Sequence, residues 1–257
     1  MGEFSTSETR GRVQVITINR PEVMNALHWP ASQEISDLID DFVANDDLWV
    51  AIITGTGERA FSAGNDLKFQ AAGNEQKALP NGFCGLTSRF DNPKPVIAAV
   101  NGLAMGDGFE IVLACDIVVA SDKAFFALPE PRVGLAALAG GMQRLPRQIG
   151  LKLALGMMFT GRRVTADEGK ALGFVNEVVA RDDVLDAAHR WADEILECGP
   201  LSVRASKEVA YASMSIASLE ESMRTHYPSV EKLKASDDWV EGPKAFADKR
   251  KPNWQGK

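Results

Sequence analysis

The stretch Asn101–Glu110, reading NGLAMGDGFE, combines residue types that can hold a developing negative charge and move a proton beside it. Gly106 and Gly108 let the main chain approach a ligand closely. A helix starting here points its unpaired amides outward. Glu110 then lies on the first turn of that helix, an acid/base beside the amide donors. A second stretch, Phe61–Leu67 (FSAGNDL), has the same logic. Each turn follows a predicted strand and opens a helix. One free N–H from each could meet at a common oxygen and form an oxyanion hole, in which removing one donor typically costs about 2.7–4 kcal/mol of transition-state stabilisation.

The elements that must position these turns are legible in part. Val13–Ile18 alternates as a strand. Trp29-Pro30 opens a helix whose Ile35, Leu38, Ile39, Phe42 and Val43 repeat at helical spacing. Val50–Thr54 and Pro95–Val100 read as buried strands that feed the two turns. A helix is expected to about Leu113, a short strand over Ile117–Ala120, and one helix from Gly140-Gly141 to about Met158. Thr165–Glu168 is a capping box with Gly173 as its C-terminal stop, and Val175–Val179 reads as a last strand. Residues 72–82 lack periodicity and read as a mobile loop. From Asp183 onward the pattern is helical: Val184, Ala188, Trp191, Ala192 and Ile195 share a face, and Pro200–Met214, Ser218–Leu233 and Gly242–Lys249 follow. These patterns give a strand-and-helix body, residues 1–198, and a C-terminal helical region, residues 199–257.

Composition narrows the function. The 257 residues include 28 Lys and Arg against 35 Asp and Glu, a net charge of −7, so nothing suggests a nucleic-acid partner. Cys84, Cys115 and Cys198 are scattered and odd in number, which argues for reduced thiols in a cytoplasmic protein and against a zinc site. No apolar run reaches membrane-spanning length, and no metal or separate cofactor is expected. His28, His189 and His226 are too dispersed to form a site. Gly106 and Gly108 lack the third glycine of a dinucleotide fingerprint.

Taken together, Arg20-Pro21 with Asn25–Leu27, Ala60–Leu67, Lys94–Gly102, Phe126–Glu130 and Ala245–Arg250 resemble the enoyl-CoA hydratase/isomerase, or crotonase, family over nearly the whole chain. The resemblance implies an α/β fold, a spiral of ββα units with a C-terminal helical region used in trimer formation, often as a dimer of trimers. It implies an acyl-CoA thioester as substrate, coenzyme A being part of the substrate. The thioester carbonyl would be polarised by the N–H groups of Ala63 and Asp107, with Ala26, Leu27, Ala63, Gly64, Asn65, Asp66, Leu67, Gly106 and Lys249 contacting substrate or CoA. Arg250 is a further candidate for positive charge toward CoA.

The family's two hydratase glutamates match Glu110 and Glu130. Two carboxylates suit water addition, because one deprotonates water while the other protonates the α-carbon. A helix N-terminus favours ionised Glu110, the base, whereas the apolar run Phe125–Leu128 favours protonated Glu130, the acid. An isomerase working from the Glu130 position, or an acyl-CoA-binding protein with a disabled hole, are the alternative functions.

Three positions depart from the family pattern, among them Met24, which stands where a basic residue is common near the CoA phosphates. Asp107 stands where the second turn usually has glycine. Its amide survives, but a charged side chain there repels an enolate unless turned away or protonated, or else it serves a hydroxylated substrate. Leu138 stands where straight-chain hydratases tend to have glycine and is expected to reshape the acyl pocket. Gly82–Thr87, His226–Val230 and Glu241–Phe246 resemble the carnitinyl-CoA dehydratase branch.

Overall fold

A computed structural model describes residues 2–74 and 77–257; Glu75 and Gln76, in the loop expected to be mobile, lie outside the described residues. The strands are β1 (Ser5–Arg10), β2 (Val13–Ile18), β3 (Val50–Gly55), β4 (Ala60–Ser62), β5 (Val96–Val100), β6 (Leu103–Met105), β7 (Ile117–Ser121), β8 (Phe125–Ala127), β9 (Val164–Thr165) and β10 (Glu177–Val179). The helices are α1 (Trp29–Ala44), α2 (Leu67–Ala71), α3 (Asp107–Ala114), α4 (Gly141–Ile149), α5 (Leu151–Thr160), α6 (Ala166–Leu172), α7 (Val184–Leu196), α8 (Pro200–Ser213), α9 (Leu219–Arg224), α10 (Pro228–Lys234) and α11 (Asp237–Ala247).

The strands sort into two sheets, ordered β1-β2-β3-β5-β7-β10 and β4-β6-β8-β9. The chain alternates between them: β3 hands on to β4, β5 to β6, and β7 to β8. Each passage advances one position in both sheets. This is the spiral of strand–strand–helix units implied by the resemblance. Strands β2, β3, β5 and β7 are parallel neighbours and almost wholly buried, as expected for near-continuous apolar runs such as Val96–Val100.

The main core lies between the large sheet, α1 and the small sheet. A second core joins the opposite face of the large sheet to α7, through Val50, Ile52, Ile97, Ala188 and Ala192. The expected apolar face of α7 is the one it buries. Phe109 of α3, Phe126 of β8 and Phe174 after α6 form a closed aromatic cluster, with ring centroids 5.1–5.2 Å apart. This cluster ties the helix that carries Glu110 to the strand that leads to Glu130.

Several elements differ from expectation. The helix expected from Gly140 to Met158 is two, broken at Gly150, whose φ of 86° no helix accommodates. The stretch Ser218–Leu233 is also two, α9 and α10, separated before Pro228. Helix α11 begins at Asp237, earlier than expected, under a Ser236 cap. The segment after α11 folds back onto it: the Asp238 carboxylate accepts from the N–H groups of Gln255 and Gly256, each at 2.8 Å.

Candidate active site

Asn25 organises the first turn. Its side chain is fully buried, accepts from Arg20 N–H (2.9 Å) and donates to the carbonyls of Thr56 (3.0 Å) and Ala60 (2.8 Å). Ser62 Oγ donates to Asn25 O at 2.8 Å and accepts from Gly64 N–H at 3.0 Å. Leu27 and Asn65 form a parallel bridge, in which Leu27 N–H donates to Gly64 O (2.8 Å) and Asp66 N–H to Leu27 O (3.1 Å). Asp66 caps α2 through Phe69 N–H and pairs with Arg20 at 3.1 Å. Burial alone would raise its pKa, but Phe69 N–H and Arg20 together bring it below the ordinary carboxylate value. Asp66 and Ala26, whose carbonyl accepts from Arg20, are thus engaged in holding the turn.

This network also engages the amide expected as the first donor. Ala63 N–H is spent on Met24 O at 3.0 Å, and Gly64 N–H on Ser62. The next amide along is that of Asn65, beside Gly64, whose own Cβ position would lie 2.8 Å from Asp107 N in the second turn.

The second turn lies directly against the first. A Cβ added to Gly64 would meet Met105 O at 2.6 Å and Asp107 N at 2.8 Å. A Cβ on Gly108 would collide with Ser62 O at 2.4 Å, so only glycine lets α3 dock on β4 so closely. The left-handed residue is Gly106, φ 55°, whereas Asp107 is the first residue of α3. Its amide is therefore one of the helix-start donors without an intrahelical acceptor. The two turns bring the Asn65 and Asp107 amides together.

Glu110 lies fully buried one turn into α3. Its Oε1 accepts from Gly141 N–H at 2.7 Å, at the start of α4. Two helix N-termini thus converge on this carboxyl, yet its pKa is pushed up to about 9. Burial is the main cause, the adjacent Asp107 carboxyl adds to it, and Gly141 N–H opposes it only partly. The ionised Glu110 expected from the helix dipole is therefore corrected to a neutral one: desolvation outweighs the dipole. Glu130 opens a short 3₁₀ turn after β8, and both its carboxyl oxygens are buried without a hydrogen-bond partner among the described residues. Burial raises its pKa, with Asp107 adding to the shift, in the expected direction.

The two acids are close enough that the charge of Glu130 adds to the raised pKa of Glu110. Glu110 N–H donates to Gly106 O at 3.0 Å, and Glu130 Oε1 lies 3.5 Å from where a Gly106 Cβ would sit. Asp107 joins them, its own pKa also raised by burial.

The remaining singled-out residues lie as follows. Leu138 is 79% exposed, whereas its neighbour Ala137 is buried and packs at Gly141 beside Glu110. Leu67 is exposed on α2. Arg250 is held by Glu241 at 2.6 and 2.8 Å, and Lys249 sits exposed past α11 with φ 54°. His28 caps α1, with Nδ1 accepting from Ala31 N–H, a structural use. Sequence reasoning missed the role of Gly141 N–H, which comes from a distant helix start.

Comparison with known proteins bears on the family and the fold. Residues 8–257 match the enoyl-CoA hydratase/isomerase family. The carnitinyl-CoA dehydratase of Citrobacter koseri is 43% identical over 100% of both chains, and that of Proteus mirabilis 44% identical over 97% of both. Among solved structures, an enoyl-CoA hydratase from Mycobacterium tuberculosis H37Rv superposes with a TM-score of 0.92 at 36% identity, covering 100% of both chains. One from Bacillus anthracis gives 0.91 at 32%, covering 99% of this chain and 100% of that one. Sequence and fold agree from end to end, and the chain belongs to the enoyl-CoA hydratase/isomerase family.

Proposed function

We propose that the protein catalyses the reversible hydration of a 2-enoyl-CoA thioester to a 3-hydroxyacyl-CoA. The observation that carries this reading is the pair of buried acids, Glu110 on α3 and Glu130 after β8, close enough that the charge of Glu130 raises the pKa of Glu110, at the turn where Gly64 packs on Asp107 N. The thioester oxygen enters between amides of the two turns, and the negative charge that develops on it is stabilised there. In hydration Glu110 takes a proton from water as the oxygen adds to the β-carbon, and Glu130 delivers a proton to the α-carbon. In dehydration Glu130 takes the α-proton, and neutral Glu110 gives its proton to the departing hydroxyl. A proton resting on Glu110 is thus the state from which dehydration starts. Two neighbouring buried acids favour this chemistry over isomerisation, for which one would serve.

A second reading narrows the substrate to a carnitinyl-type thioester, supported by the names of relatives 43–44% identical to this chain. Incubation with crotonyl-CoA and carnitinyl-CoA, followed by mass for gain or loss of one water, tests both readings. Turnover of either, abolished by Glu130→Gln, is expected. Tight CoA binding without any water exchange would make the protein a binding module instead.

We further propose a homotrimer, or a dimer of trimers, working in the cytoplasm. The assembly is supported by Leu219 (76% exposed), Met223 (79%) and Phe246 (87%), large apolar side chains left uncovered on the C-terminal helices. Among the described residues no helix is long and apolar enough to cross a membrane.

A further inference from the structure

The two oxygens of Glu110 are held differently. Oε1 accepts from Gly141 N–H at 2.7 Å, whereas Oε2 is buried without a hydrogen-bond partner among the described residues. A carboxyl that accepts through one oxygen keeps the other for its proton, so Gly141 N–H assigns proton exchange to Oε2. Gly141 is the first residue of α4. The direction of the Glu110 carboxyl therefore depends on where that helix starts.

No side chain caps this start, because the preceding residue is Gly140, φ 104°. Arg144, one turn into the helix, reaches back past it. Its amide donates to Gly140 O at 2.8 Å, and its Nη1 donates to Thr87 O at 2.8 Å. A Cβ on Gly140 would fall on the guanidinium, so glycine there leaves the path to Thr87 open.

Thr87 O is a fixed point. Thr87 is buried, and its Oγ1 accepts from Phe83 N–H at 2.8 Å. Cys84 N–H donates to Ser32 Oγ of α1 at 2.8 Å, and an added Cβ on Gly85 would lie 2.7 Å from Ser36 Cα of the same helix. The Arg89 side chain, only 3% exposed, donates to Gly85 O at 2.7 Å and pairs with Asp40 of α1. The segment that carries Thr87 is thus fastened to α1 along its length. At the far end of α4, Gln148 Nε2 donates to Leu113 O at 3.0 Å, and Leu145 and Ile149 are buried. Of the two side-chain tethers on this helix, Arg144 acts at the end that holds Glu110.

We propose that Arg144 is a positioning residue for water exchange: by tying the start of α4 to the Thr87 carbonyl, it keeps Gly141 N–H on Glu110 Oε1 and leaves Oε2 for the reacting water. This rests on the reading of Glu110 as the group that exchanges a proton with water. Among the described residues Arg144 makes no hydrogen bond to Glu110 itself, so it acts through the main chain of Gly141.

The test compares kcat and KM of wild type, Arg144→Met, Arg144→Lys and Gln148→Ala on the thioester that wild type turns over, crotonyl-CoA or carnitinyl-CoA. Met keeps the aliphatic stem and removes the charge and the donors, Lys keeps a charged donor, and Gln148→Ala loosens the far end of α4. Arg144→Met is expected to lose about 10- to 100-fold in kcat with KM within about twofold, because a misplacement of about 1 Å costs about that much in rate. Arg144→Lys should recover most of the loss, and Gln148→Ala should keep kcat within about twofold of wild type. Amide hydrogen exchange over residues 140–145 should quicken in Arg144→Met and not in Arg144→Lys. Arg144→Gln takes the place of Met if that variant does not fold. An unchanged kcat in the folded neutral variant, a change in KM alone, or an equal loss in Gln148→Ala overturns the positioning role and leaves the functional reading standing. A wild-type protein that exchanges no water on either thioester overturns both.

Discussion

At the scale of single residues, the site is defined by carboxyl groups held away from water. Glu110 lies against Gly141 N–H and Asp107, and burial moves its pKa from the ordinary 4.5 to about 9. A carboxyl whose folded pKa lies above its unfolded value contributes stability that is fully present below about 4.5 and lost as pH rises toward about 9. Glu110→Gln keeps an acceptor for Gly141 N–H and never ionises. The variant is expected to unfold roughly 3 °C higher than wild type at pH 8, the difference disappearing below about pH 4.5. The same variant should lose at least two orders of magnitude in kcat for water exchange, since acid–base groups supply about that much. Thermal unfolding followed at pH 4, 6 and 8, together with the crotonyl-CoA assay, reads both effects. A variant less stable at every pH would mean that the Glu110 carboxyl is held more favourably than its burial implies.

The same residues show how far the sequence reaches. Glu110 and Glu130 are readable as a pair because their motifs are distinctive. Their protonation is not, because helix dipole and desolvation oppose one another and only the fold sets their balance. Which amide of the first turn is open to a ligand is not legible in the sequence, for a similar reason. Ala63, Gly64 and Asn65 all offer an amide, and the choice depends on where Met24 O and Ser62 Oγ lie.

At the scale of elements, the long strands and amphipathic helices follow from pattern, since Val96–Val100 is a buried run and Val184–Leu196 repeats at helical spacing. The small sheet does not, because its strands of two or three residues are too short for any period. Strand β1 is hidden differently: STSETR is polar, and its place comes from antiparallel pairing along the whole of β2. These inconspicuous elements carry the site.

Two substitutions separate positioning from packing. Gly108→Ala pushes a Cβ into Ser62 O and forces α3 off β4. It should cost about 1–3 kcal/mol of stability and reduce kcat/KM far more than that loss accounts for. Phe174→Ala empties the aromatic cluster, at about 3–5 kcal/mol. Where it remains folded, it should keep a larger share of activity. Denaturant unfolding and initial rates on the same preparations compare the two, and equal activity losses would remove any special meaning from the α3–β4 contact.

At the scale of the whole molecule, the spiral leaves its C-terminal helices with apolar side chains uncovered. Leu219 and Met223 on α9 and Phe246 on α11 are each more than three-quarters exposed. If subunits assemble through these helices, Met223→Asp with Phe246→Asp should shift the mass in light scattering from about three chains to one. The expected readout includes a lower unfolding temperature, since covered surface is lost. A wild-type protein that runs as one chain would refute the trimer while leaving the fold untouched.

The main-chain amides where the two turns meet have a consequence for inheritance. Every residue except proline carries a main-chain N–H, so the donors persist through nearly any replacement at these positions. The surrounding side chains are free to drift and retune the acyl preference while the charge-stabilising element remains. A saturation survey of position 107 should therefore show a graded spread of substrate preference across nineteen residues and a collapse at one. Asp107→Pro is the informative exception: proline is well tolerated at the first position of a helix, so the chain should still fold while the donor is gone. A preserved melting curve with lost turnover in that variant would mark the donor as belonging to the backbone and the specificity to the side chain.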